Sequence, residues 1–284
     1  MFKVLNFIAF LFFTAACLLS CVTVRVYNDP NQPEYSFNNN KLPDTTLNFL
    51  KVVTFNIKKA EKIELALTEL QHFEQLANAD IYLLQEMDEK GVAYIADSLH
   101  LNYLYIPIVY NKLLKKDIGN AILTRGSIEH PEKLFLPHKK WLSKWRRDIT
   151  IGEVTIHQKK ILVFSVHRET IMMRKKNRIN QTEAVIEHAI LQHSDYDYMV
   201  IGGDFNTLFA ADAKRVVVQF KDKGFDWATG QAGKTASAFF GIIKPRLDYI
   251  FTRGLTLVTA GKVSNSKSSD HYPVFATFNF KCMP

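Results

Sequence analysis

The chain has 284 residues, 47% of them hydrophobic. That is enough apolar material for one large domain with its own core. Three cysteines, with no CxxC or Cys/His spacing, exclude a disulfide framework and a cysteine-based zinc site. With 36 basic against 28 acidic residues the formal charge is +8. This balance favours an acidic partner (nucleic acid, a phosphorylated metabolite or an anionic membrane) without choosing among them.

Residues 1–20, MFKVLNFIAFLFFTAACLLS, place one Lys before an apolar run and small residues, the layout of an export signal. The run ends Leu18-Leu19-Ser20-Cys21, which resembles the lipobox of bacterial lipoproteins. The resemblance implies cleavage before Cys21 and acylation of that residue. Membrane anchoring at the periplasmic or cell surface is therefore expected. Residues 21–46, rich in Pro, Asn and Asp in their second half, read as a tether. The domain proper is then expected over 47–284.

From residue 51 the pattern alternates. KVVTFNI (51–57) is a short strand, and residues 60–79 carry Ile63, Leu67, Leu70, Phe73 and Leu76 at helical spacing. IYLLQE (81–86), NYLYIPIVYN (102–111) and NAILT (120–124) read as strands. DITIGEVTIH (148–157) alternates as a half-buried strand does, and ILVFSVH (161–167) is apolar enough for a buried one. Residues 174–193 form a helix, YMVIGGD (198–204) a strand, and 211–222 a helix that stops at Gly224. RLDYIFT (246–252) and PVFATFNF (273–280) close the chain. Hairpin-length links mixed with helical crossovers predict packed sheets covered by helices, an α/β sandwich, rather than a doubly wound sheet.

The polar residues of these strands carry the chemistry. Asn56, Glu86, His167, Asp204, Asn206, Asp248, Asp270 and His271 stand at or near the strand ends. Singly, each has an ordinary reading as a turn former, a solvated end or a satisfied core histidine. Asp248 is harder to dismiss, because an unpaired carboxylate inside a strand is costly. In IGGDFNT (201–207) the two glycines let the backbone approach a ligand closely.

Together TFNI (54–57), LLQEMD (83–88), GNAILT (119–124), FSVH (164–167), GGDFNT (202–207), RLDYIF (246–251) and SSDHYPV (268–274) resemble, in order, the endonuclease/exonuclease/phosphatase family. These are the DNase-I-like metal-dependent phosphoesterases. The resemblance implies a DNase-I-like four-layer sandwich, two packed mixed β-sheets flanked by helices. It implies one Mg²⁺ or Mn²⁺ ion on Glu86, Asn56 and Asp270, hard oxygen ligands that suit such a cation. His271 is expected at the scissile phosphate, oriented by Asp248, with Asp204 on the attacking water. Asn206 and His167 are expected on phosphate oxygens, and Arg178 and Asn120 on substrate. Arg178 pairs with Gln181 in the family manner. Whether His271 or Asp204 takes the water's proton stays open. Relatives often carry a polar residue where Lys58 stands, so a second metal is not expected.

The family hosts nucleases, phosphatases and sphingomyelinases, so substrate stays open. The basic stretches HKKWLSKWRR (138–147) and HRETIMMRKKNR (167–178) suit a nucleic-acid backbone with stacked bases, an anionic membrane or a solvated face. A surface-anchored phosphodiesterase acting on nucleic acid is the first expectation. A phosphatase or phospholipase-type hydrolase is the second, and a non-catalytic binding module is remote.

Overall fold

The structure is a computed structural model that describes residues 24–39, 49–139, 145–237 and 241–281. The signal, Cys21 and Trp141 lie outside the described residues. Two mixed sheets stack face to face. The larger contains β1 (Val24–Val26), β2 (Tyr35–Phe37), β3 (Phe49–Asn56), β4 (Ile81–Met87), β5 (Asn102–Asn111) and β6 (Lys116–Thr124), with the C-terminal β13 (Leu255–Lys262) and β14 (Val274–Phe280). Its order is β1-β5-β6-β4-β3-β14-β13, with β2 on β5. The smaller holds β7 (Ser127–Phe135), β8 (Asp148–Ile156), β9 (Lys159–His167), β10 (Tyr198–Asp204), β11 (Asp226–Trp227) and β12 (Asp248–Arg253), ordered β11-β12-β10-β9-β8-β7. Each sheet has one central parallel pair, β3 with β4 and β9 with β10.

Strand alternation builds four layers from this order. Val52, Leu83, Ile122, Val163, Val200 and Ile250 point between the sheets and form one core. Their neighbours Val53, Phe55 and Leu84 point outward and meet α1 (Ile63–His72) and α2 (Glu89–Ser98). Phe164, Ile201, Tyr249 and Phe251 point outward from the smaller sheet onto α3 (Lys175–Leu191) and α4 (Ala210–Lys221). Each such buried side chain contributes roughly 1.5–3 kcal/mol of transfer free energy. The DNase-I-like sandwich is therefore the observed fold.

Several boundaries differ from the sequence expectation. Residues 24–39 are not a free tether. β1 and β2 pair with β5, Tyr27 donates to Asp117 at 2.7 Å, and Lys133 donates to the carbonyls of Asp29 and Gln32. Helix α1 spans ten residues only, because Phe73 turns extended. Helix α2 escapes the sequence pattern. Its start is set by Asp88, whose side chain accepts the Gly91 N–H at 2.7 Å. Gly224 does end α4, at φ +81. The glycines of IGGD serve the neighbouring strands rather than a ligand. A Cβ at Gly203 would stand 1.9 Å from the Val166 carbonyl oxygen, and one at Gly202 2.6 Å from Leu83.

Candidate active site

The inter-sheet layer changes character along its length. The inward positions of β3 run Leu50, Val52, Thr54, Asn56; those of β9 run Ile161, Val163, Ser165, His167; and β10 ends in Asp204. Apolar contacts give way to hydrogen bonds at one end. Gln85 donates to Ser165 Oγ at 3.1 Å across the sheets, and Asn56 Nδ2 donates to Asp204 Oδ2 at 3.1 Å.

Register brings the acids together. In the smaller sheet Asp204 stands opposite His167 on one side and Asp248 on the other. His271 arrives from the loop before β14, and its Nδ1 donates to Asp248 at 3.0 Å. Its Nε2 faces Asp204 Oδ2 at 3.8 Å. Thr235 Oγ1 donates to Asp248 Oδ2, the same oxygen, at 2.6 Å while accepting the N–H groups of Leu247 and Asp248. Asp204 and Asp248 are each 1% exposed and His271 8%.

Electrostatics follows from that burial. Burial, with Asp248 beside it, pushes the Asp204 carboxyl up to about 7, against the pull of His271 and the hydrogen bonds from Asn206 N–H and Asn56. Burial draws His271 down, but the carboxylates of Asp248 and Asp204 outweigh it and raise the imidazole to about 10. The site thus holds an imidazolium between two acids and a carboxyl poised near neutrality.

His167 is set by a residue the sequence reading passed over. Arg147 Nη1 lies 3.0 Å from His167 Nδ1. A guanidinium only donates, so Nδ1 accepts and Nε2 carries the proton. That Nε2–H points toward Asp204 Oδ2 at 3.5 Å and Glu86 Oε1 at 3.8 Å.

Glu86 reaches this face by breaking the strand pattern. Its φ is +57, and the β4–β6 register shifts between Leu84 and Met87. Without that bulge the residue after inward-facing Gln85 would point to the helices. The carboxylate stays 22% exposed and takes no hydrogen bond from any described residue. Asn56 is held by its neighbours: Oδ1 accepts the Lys58 N–H at 2.9 Å, and its carbonyl accepts Ser269 Oγ at 2.7 Å. Asp270 is exposed, next to that serine. An unshared carboxylate, an amide oxygen with a lone pair to spare and an exposed acid fit a hard divalent cation.

The Ser-Asp-His loop has a further support. Glu69 of α1, 6% exposed, accepts from Ser266 Oγ at 2.7 Å, Lys267 N–H at 2.6 Å and Ser268 Oγ at 2.5 Å. A glutamate on the buried side of α1, beside Ala66 and Leu70, was the sequence signal for it. Thr235 and Arg147 had none, since one lies in an unpatterned loop and the other in a basic run.

Other expected residues are placed as follows. Asn206, at φ +49, donates its amide to the Arg168 carbonyl at 2.8 Å and its N–H to Asp204 Oδ1. Asn120 is fully buried on β6, across from the β4 bulge, and donates to the Asp148 carbonyl at 3.2 Å. Its Oδ1 has no partner among the described residues. Arg178 requires correction. Its guanidinium is buried and binds Asp212 Oδ2 at 3.0 Å and the Met173 carbonyl at 2.6 Å, so it braces α3 against α4 instead of facing substrate. Gln181 likewise ties Glu169 N–H to the Pro137 carbonyl. Lys58 is solvated and pairs with Glu61 at 3.6 Å. The basic stretches are also partly internal: Arg168 is 1% exposed, and Trp145 packs with Val24, Val26 and Ile118.

Comparison with known proteins bears on this arrangement. The model of the endonuclease/exonuclease/phosphatase family matches residues 53–271. No curated protein matches the sequence. Among solved structures, D. rerio TDP2 complexed with single strand DNA product superposes with a TM-score of 0.64 at 18% identity, covering 81% of this chain and 99% of that one. An endonuclease/exonuclease/phosphatase from Bacteroides vulgatus gives 0.65 at 14% identity, covering 82% and 99%. Truncated Caenorhabditis elegans TDP2 gives 0.60 at 22% identity, covering 81% and 97%. At these identities the likeness concerns the fold.

Proposed function

The chain belongs to the endonuclease/exonuclease/phosphatase family of phosphoester hydrolases, and we propose that it is a Mg²⁺-dependent phosphodiesterase acting on nucleic acid. The observation that carries the reading is His271 held between Asp248 and Asp204 at the mouth of the inter-sheet layer, with Glu86 opposite. Glu86, Asn56 and Asp270 would hold one ion. When bound, it supplies positive charge to the phosphoryl group.

The protein's own groups divide the remaining work. Asp204, pushed up to about 7 by burial, is the member of the Asp204–His271 pair that is free of its proton just above neutrality, and it takes the proton of the attacking water. His271 keeps its proton and meets the negative charge that builds on the phosphoryl oxygens. Asp248 donates nothing; it fixes the imidazole with Nδ1–H inward and Nε2–H outward. His167, locked by Arg147, offers a second N–H. Asn206 gives one amide N–H to the Arg168 carbonyl and keeps the other for a phosphate oxygen, and Asn120, fully buried, would bear on the substrate from behind these groups.

A groove beside the centre supports a polyanionic substrate. It encloses about 640 Å³, starts at Thr207 and is lined by Trp227, Lys214, Lys221, Lys234, Lys244 and Arg246. No acidic side chain is among the described residues that line it. Arg246 lies over the Trp227 ring at 4.7 Å, so the groove offers cations around an apolar floor, which suits a phosphate-bearing chain. One observation favours a second reading, a phospholipid-directed hydrolase: Ile242, 84% exposed, lies two residues before Lys244, which lines the groove. Anchoring at the cell envelope through acylated Cys21 is supported by the N-terminal sequence.

Purified protein assayed on plasmid DNA, RNA, inositol phosphates and sphingomyelin, with Mg²⁺ and with chelator, separates these readings. Metal-dependent cleavage of DNA or RNA that weakens steeply with salt is expected. Turnover of sphingomyelin alone would replace the first reading by the second, and chelator-resistant turnover would remove the metal.

A further inference from the structure

At the far end of α3, about 20 Å along the helix from its start, two histidines and a carboxylate converge. His188 of α3 and His193 just after it both direct Nε2 at Glu132 of β7, at 2.6 and 3.2 Å from its two oxygens. The three ligand atoms lie within 4.8 Å of one another. None of these residues belongs to the catalytic cluster.

Local structure aims each of them. The β7–β8 register shifts between Glu129 and Glu132. Glu132 thereby shares the outer face with Leu134, which packs against the α3 side of the sheet. Phe164 sets both imidazoles edge-on, with centroids 6.5 and 6.4 Å away, and the two rings meet at 5.2 Å and 66°. Tyr196 closes the other side of His193 at 5.9 Å. The His188 approach is shorter than the His193 one, yet it lacks hydrogen-bond geometry. An imidazole directed at an oxygen without donating to it well is arranged as a ligand would be. The side chains remain 16%, 19% and 36% exposed, so the cluster opens to solvent on the Glu132 side, while His188 Nε2 itself is buried.

We propose that Glu132, His188 and His193 form a site for a Zn²⁺-class transition-metal ion that clips the end of α3 to the edge strand β7. Two imidazole nitrogens and a carboxylate oxygen, with water in the fourth position, match the ligand preference of Zn²⁺ and not of Mg²⁺. A tetrahedral ion with ligands at about 2.0–2.1 Å sets them about 3.3 Å apart; the His193–Glu132 spacing is already close to that, and the His188–Glu132 spacing must open by about 0.7 Å. The sequence hid the site because the three ligands do not share a local motif.

Metal-free protein is titrated with Zn²⁺ by equilibrium dialysis, and bound ions per chain are counted for wild type, for His188→Ala/His193→Ala and for the milder His193→Asn. Co²⁺ replaces Zn²⁺ in a parallel absorption measurement. The variants should bind one ion fewer per chain and lose the visible band of low-coordinate Co²⁺. The Zn²⁺-induced rise in Tm should shrink, while Mg²⁺-dependent turnover stays at the wild-type value. An unchanged ion count and Co²⁺ spectrum in His193→Asn, with its fold intact by circular dichroism, overturns the proposal. Because the count does not depend on turnover, failure of the proposed phosphodiesterase activity would leave it standing.

Discussion

The two walls of the catalytic mouth are built on opposite principles. On the smaller sheet His167, Asp204 and Asp248 are almost fully buried, stand in register on three adjacent strands, and are bound to one another, to Arg147 or to His271. On the larger sheet Glu86 is a fifth exposed and Asp270 lies in solvent, and a strand bulge and a loop place them. The dry wall makes charges interact strongly, since little water screens them. Asp204 is accordingly pushed up to about 7. The wet wall leaves its carboxylate oxygens open to a cation, water and a phosphate. A phosphoester site needs both, and here each sheet contributes one.

Asp204→Asn tests the dry wall most severely. It removes the proposed base while keeping the hydrogen bond to Asn206 N–H. Turnover should fall by about 10²–10⁴-fold, with little change in substrate KM. A loss under tenfold would move the base elsewhere. Glu86→Gln tests the wet wall and should differ in kind: its loss is expected to shrink as Mg²⁺ is raised, because a weakened ligand can be compensated by mass action. If both variants respond alike to Mg²⁺, the division between walls fails.

The pH profile sharpens the same contrast. Asp204, raised to about 7, must be ionised to accept a proton, so kcat/KM should climb as pH rises through about 7. His271, raised to about 10, must keep its proton, so activity should fall as pH passes about 10. Asp248→Asn removes a main support of the imidazolium and should move the alkaline limb toward lower pH. An unmoved limb would separate it from His271.

Much of this was legible in the sequence, and the limits have physical causes. β3, β4, β9 and β10 are buried on both faces and stand out as short, nearly continuous apolar runs, so they could be read directly. The polar residues that end them fall on inward-facing positions, which is why Asn56, His167 and Asp204 meet. Helix α2 is short and mostly polar outside Val92, Ile95 and Ala96, and β13 is largely exposed, so neither shows a clear period. Glu86 was legible as a strand-end acid, but its αL turn was not. Arg178 misled because spacing on a helix gives a face and not a depth. It faces Asp212 on α4, a long-range partner that no local pattern reveals.

The loop that carries His271 offers a smaller effect that links the walls. Glu69 grips three donors of the 266–268 segment from α1, at a distance from the reacting atoms. Glu69→Gln keeps the shape but brings an amide donor against two hydroxyls and an N–H. Turnover should drop by about tenfold through misplacement of Asp270 and His271, with a stability loss of about 1–3 kcal/mol. Both limbs of the pH profile should stay in place, because no charge next to the imidazole has changed. A shifted limb would make Glu69 an electrostatic member of the site.

The smallest catalytic effect should come from Arg178, which belongs to neither wall. Its guanidinium shares Asp212 Oδ2 with Arg168, which binds the Phe205 carbonyl at 2.7 Å and Thr182 at 2.9 Å. Arg178→Gln leaves Asp212 paired with Arg168, so the buried carboxylate is not stranded. The loss is then that of a few buried hydrogen bonds, about 1–3 kcal/mol of unfolding free energy. Substrate KM and kcat should both remain within about threefold of wild type, since 1 kcal/mol at the transition state already corresponds to about fivefold. A large rise in KM with unchanged stability would return Arg178 to the substrate. It would also mean that the basic face after His167 reads phosphate, and that the α3–α4 brace is incidental to its position.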